Sequence, residues 1–95
     1  MSTTAIELYF PGGTLAQYDD VLQRMGLVHG GDTGANGIFH WVAEVDGGIK
    51  VVDVWPSIEA FNTFAQEQII PFSQAAGLPE PELTFHEVYN TLSGV

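Results

Sequence analysis

Ninety-five residues make one domain and leave no room for a second core. Lys and Arg number two, Arg24 and Lys50, against twelve acidic residues, for a net charge of −10. Such a chain cannot neutralise phosphates, which argues against nucleic acid and anionic membrane as partners, and with no cysteine it has no disulfide, thiolate metal site or thiol nucleophile.

An apolar content of 45% is enough for a packed interior. A core this small is marginal alone, so a homodimer is expected. Met1 to Thr4 is neither basic nor followed by a long apolar run. No segment approaches transmembrane length, and the cytoplasm is the expected location.

Ala5 to Phe10 is a short apolar and aromatic run closed by Pro11-Gly12-Gly13, which predicts a first strand. Thr14 caps a first helix, in which Leu15, Tyr18, Leu22 and Met25 recur at helical spacing until Gly26. Residues 28 to 37 form a glycine-rich polar loop that is suited to cover a pocket. It lacks both the Lys-Ser/Thr of a phosphate loop and the dinucleotide spacing.

Ile38 to Val45 reads as a second strand and Ile49 to Trp55 as a third, joined at Asp46-Gly47-Gly48, a strong hairpin signal. Pro56 stops the third strand. Ser57 caps a second helix, with Glu59 near its positive end and Ile58, Phe61 and Ala65 on its buried face. Pro71, which has no N–H to donate, must kink or restart that helix before Gly77 ends it. Glu82 to Asn90 is the fourth strand. The order βαββαβ predicts an α+β, ferredoxin-like fold, a four-stranded antiparallel sheet with two helices on one face. The other face also carries apolar residues, and a second copy of the sheet is the simplest cover.

Among residues able to carry chemistry, Asp53 stands inside an otherwise apolar strand, between Val52 and Val54. A carboxylate there costs several kcal/mol unless it is paired or wet. It either faces water or a dimer interface, or lines a pocket as a base or as the orienter of a histidine. His40, between Phe39 and Trp41, is a structural strand residue or that histidine. Strand parity decides. A two-residue turn puts His40 on one face with Val51, Asp53 and Trp55, whereas a three-residue turn replaces it with Trp41 and sets Glu44 opposite Lys50. Trp55 reads as a core aromatic, a pocket wall, or both. His29 reads as an exposed loop residue. No histidine pair has zinc-protease spacing, and no metal site is expected.

The run Val52-Asp53-Val54-Trp55-Pro56-Ser57-Ile58-Glu59-Ala60-Phe61, with Phe39-His40 in strand two and Tyr89-Asn90 closing strand four, resembles the antibiotic biosynthesis monooxygenase-like branch of the dimeric α+β barrels. The resemblance spans nearly the whole chain. It implies a homodimer with a pocket in each protomer between sheet and helices. Members include cofactor-free oxygenases of aromatic polyketides and haem-degrading enzymes. The latter use a second-helix His as iron ligand, and residues 57 to 76 contain none. The family pattern carries His, Asp and Trp together and so selects the two-residue turn.

The expectation is a cofactor-independent monooxygenase, isomerase or cyclase for a planar hydrophobic molecule. His40 and Asp53 would be catalytic, and Trp55, Tyr9, Phe64, Tyr89 and Asn90 would contact the ligand. The competing expectation is a non-catalytic module that binds a small molecule or packs as a dimer, with His40 and Asp53 tied up elsewhere.

Overall fold

A computed structural model describes residues 3–34, 37–92 and 94. Ala35 and Asn36 of the glycine-rich loop lie outside the described residues.

Strand β1 (Thr4–Pro11) alternates. Ile6, Leu8 and Phe10 are buried on one face, and Ala5, Glu7 and Tyr9 lie on the other. Helix α1 (Leu15–Met25) starts at a capping box, in which the Thr14 hydroxyl accepts from the Gln17 N–H and the Gln17 side chain accepts from the Thr14 N–H. It ends at Gly26, whose φ of 78° is left-handed backbone that an L side chain adopts only at a cost. Tyr18, Val21 and Leu22 are its buried face.

Strands β2 (Phe39–Val45) and β3 (Gly48–Trp55) form a hairpin. Val45 pairs with Gly48 and His40 with Asp53, so the turn has two residues, Asp46 and Gly47. Glu44 therefore stands opposite Ile49, and Lys50 instead forms an ion pair with Glu7 on the neighbouring strand β1. Gly48 is obligatory, because a Cβ there would sit 2.2 Å from the Phe10 carbonyl oxygen.

Helix α2 (Ile58–Phe64) begins where the Ser57 hydroxyl accepts from the Ala60 N–H. Phe61 is its anchor at 1% exposure, while Ile58, expected to be buried, is 39% exposed. A π-turn (Ala65–Ile69) follows and leads into α3 (Ile70–Ala75). The Ile70 N–H reaches back five residues to the Ala65 carbonyl. This widened turn directly precedes Pro71, which has no N–H to donate to an α-helical partner. The kink or restart expected at Pro71 takes the form of a widened turn, after which α-helix resumes at Ile70 with Pro71 in its first turn.

Strand β4 (Glu82–Glu87) is three residues shorter than predicted at its C-terminal end. The sheet order is β2-β3-β1-β4, antiparallel throughout, with the helices over one face. This is the ferredoxin-like α+β arrangement expected from the element order. The core lies between sheet and helices, where Ile6, Ile49 and Phe61 are almost wholly buried. The opposite face exposes Phe39 and Trp41. No helix among the described residues is long and apolar enough to cross a membrane.

Candidate active site

Asp53 is 4% exposed on the helix-facing side of β3. Its carboxylate accepts from two neighbours. His40 Nδ1 is 2.5 Å from Oδ1, and the indole N–H of Trp55 donates to Oδ2 at 3.3 Å. The hairpin register creates the first contact, because directly paired residues in an antiparallel ladder point to the same face. The second joins residues two apart on one strand, which also share a face. A buried carboxylate is tolerable here because its lone pairs are used.

A carboxylate only accepts, so Asp53 fixes the proton on His40 Nδ1 and leaves a lone pair on Nε2 of the neutral ring. Nε2 meets the hydroxyl of Tyr18, 2.5 Å away on α1. The two rings are nearly parallel, 7° between planes. The Tyr18 phenol is pushed up to about 12, first by burial and then by the negative charges of Asp53 and Asp19. It therefore stays protonated at neutral pH and presents an O–H to His40.

The chain Trp55–Asp53–His40–Tyr18 borders a cavity of about 520 Å³ between sheet and helices. That size lies within the range of small-molecule sites. Its walls are mostly apolar, with Val21, Leu22 and Met25 from α1 and Phe64 and Ile69 opposite. Residues 28 to 33 of the glycine-rich loop line its rim. His29 stands on that rim, 75% exposed at the side chain and 2.7 Å from Asp19. Trp55 is both core and wall. It is 4% exposed, tilted against Phe64 at 4.9 Å and edge-on to Phe61 at 6.3 Å, and it lines the cavity.

Of the residues expected at the site, His40, Asp53, Trp55 and Phe64 come together around this cavity. Three do not. Tyr9 lies on the opposite face of the sheet, where its hydroxyl donates to the Asp46 carbonyl at 3.2 Å. Its parity is wrong, since Leu8 and Phe10 take the inward positions. Tyr89 and Asn90 fall beyond the end of β4 and are exposed, Tyr89 fully. In the sequence Tyr18 shows only as part of the apolar stripe of α1. A phenol within a stripe that must face the sheet was the available signal, but its partner on β2 is visible only in three dimensions.

No family model matches the chain, and no curated protein matches it. Among solved structures, two of SnoaB, a cofactor-independent oxygenase from Streptomyces nogalater, match it end to end. The first, a single-site variant, is 19% identical with a TM-score of 0.60, and the second is 17% identical with a TM-score of 0.60. In both, 98% of each chain is covered. The chain has the SnoaB fold. This is the architecture implied by the resemblance of the Val52–Phe61 segment, with Phe39-His40 and Tyr89-Asn90, to the antibiotic biosynthesis monooxygenase-like proteins. At such identity the likeness shows the fold alone.

Proposed function

We propose that the chain is a cofactor-independent monooxygenase that begins by taking a proton from a planar hydrophobic substrate. The single observation that carries this reading is the hydrogen-bonded chain from Asp53 through His40 to Tyr18, opening on an apolar cavity. A non-catalytic module would have its polar groups tied up separately. Here they converge on one point of the cavity wall.

The proton moves by relay. As the Tyr18 O–H proton passes to His40 Nε2, the Tyr18 oxygen takes the substrate's proton, and Asp53 stabilises the imidazolium that forms. Tyr18 is never a free phenolate, which its raised pKa would disfavour. Loss of a proton from a CH₂ held between two aryl rings that are conjugated to a ketone leaves a delocalised carbanion. That carbanion reduces dioxygen directly, and a C–O bond forms. The resulting peroxide regains a proton from the same relay and then loses water. The CH₂ becomes C=O, with one oxygen atom in the product and one in water. The shared fold with an oxygenase of the cofactor-independent kind supports this reading.

The test is oxygen uptake with anthrone, a planar aryl ketone carrying such a CH₂. Turnover is expected in the native chain and is lost in His40→Ala with the fold intact by circular dichroism. Unchanged uptake in that variant would sink the assignment, and turnover without oxygen uptake would point to isomerisation instead. The reading includes a homodimer through the open sheet face, where Phe39 is 60% and Trp41 43% exposed. Sedimentation at micromolar concentration checks it.

A further inference from the structure

We propose that the cavity selects by charge: it takes an uncharged hydroxylated aromatic and rejects the same ring system carrying a carboxylate, sulfonate or phosphate. This rests on the cavity being the substrate site. The chain's only two basic side chains are Arg24 and Lys50. Both lie away from the cavity lining and both are engaged. Arg24 Nε is 2.9 Å from Asp20, and Lys50 Nζ is 3.3 Å from Glu7 on the opposite face of the sheet.

The charged side chains that do line the cavity are acidic, Asp53 at its base and Asp32 at its rim. The lining histidines do not reverse that sign. His40 lies 2.5 Å from Asp53, so even when protonated it brings the pair only to neutrality. His29 stands 2.7 Å from Asp19 in the same relation. An anion entering this space would lose its hydration against apolar walls, meet no cation, and feel Asp53 across a medium of low dielectric. A neutral hydroxyl has the opposite prospects. It can donate to the Tyr18 oxygen, whose own proton is directed at His40, and the ring beneath it packs on Phe64, Trp55 and Leu22. The net charge of −10 adds a long-range repulsion that slows the approach of anions.

Matched probes test this. 6-Hydroxy-2-naphthoic acid and its methyl ester share the ring, the hydroxyl and nearly the size, and differ in charge at neutral pH. Titration by tryptophan fluorescence is expected to show the ester binding at least roughly tenfold tighter. Val28→Lys, at a rim position that is 71% exposed, is expected to narrow that ratio by offering the missing cation. Equal binding of the two probes, or tighter binding of the acid, overturns the inference, as does an unchanged ratio in Val28→Lys. If equal binding accompanies intact oxygen uptake with anthrone, only charge selection fails. If neither probe binds, the cavity is not a site for such molecules, and this inference falls together with the reading it rests on.

Discussion

His40 and His86 make nearly the same contact on opposite faces of one sheet. His40 Nδ1 lies 2.5 Å from Asp53, and His86 Nε2 lies 2.7 Å from Glu7. The surroundings separate them. Asp53 is buried, receives a second hydrogen bond from Trp55, and holds a histidine whose other nitrogen meets a tyrosine at a cavity wall. Glu7 is shared between His86 and Lys50 in contact with water, and the His86 side chain is 52% exposed. An exposed pair of this kind contributes little, because solvent screens it. The contact distance therefore says almost nothing about function. What distinguishes the pairs is desolvation and the use of the second ring nitrogen.

The largest effect that can break this comparison is on turnover. His40→Asn is expected to lower oxygen uptake by about 10²–10⁴-fold, the range of general-base catalysis, whereas His86→Asn leaves it within about twofold on the view that an exposed, screened pair contributes little. Similar losses in both variants would erase the distinction. Tyr18→Phe separates relay from direct abstraction. A relay predicts a loss of the same order as His40→Asn, and an unchanged rate would assign the proton to His40 alone.

Stability gives the next effect. Asp53→Ala strands the N–H groups of His40 and Trp55, and each buried unpaired donor costs about 1–3 kcal/mol. Glu7→Ala, at the exposed pair, is expected to leave the urea midpoint nearly unchanged, because solvent screens the contact.

The smallest effects appear in pH dependence. The folded-state pKa of Tyr18 is raised to about 12 from an ordinary 10.0. Its contribution to stability is then complete below pH 10.0 and disappears as pH rises through about 12. The tyrosinate absorbance band should show one late-titrating phenol that vanishes in Tyr18→Phe. Glu7 shifts the other way. Hydrogen bonds from His86 and then Lys50 hold its carboxyl below the ordinary 4.5. Its contribution is present above that value and is lost as pH falls through the folded-state value, so Glu7→Gln should flatten the acid limb of the stability curve.

The sequence made much of this molecule legible where a local rule was sufficient. Strand alternation, the Thr14 cap and the Asp46-Gly47 turn each act over a few residues, and each predicted its element. The site was legible only in part. His40 and Asp53 share a face for a reason that can be stated from turn length, but the turn length itself could be read two ways. Tyr18 reaches His40 through the crossing of α1 over the sheet, a distance relation that no periodicity encodes. The composition of Tyr89 and Asn90 extends β4 past Glu87, where it ends, because a polar, aromatic tail has the same composition as an edge strand. Tyr9 faces outward by strand parity, since its neighbours Leu8 and Phe10 are buried.

The π-turn at Ala65–Ile69 has a consequence for the cavity's shape. Phe64 and Ile69, five residues apart, both line the cavity. On an unbroken α-helix their side chains would diverge by about 140°. The surplus residue lets the helix lag in phase, so both side chains, and Ser73 one turn later, fall along a single stripe. The cavity wall that Phe64 and Ile69 form is thus set by rotation of the helix about its own axis. Its apolar width depends on an insertion that hydrophobic periodicity registers only as a break in rhythm.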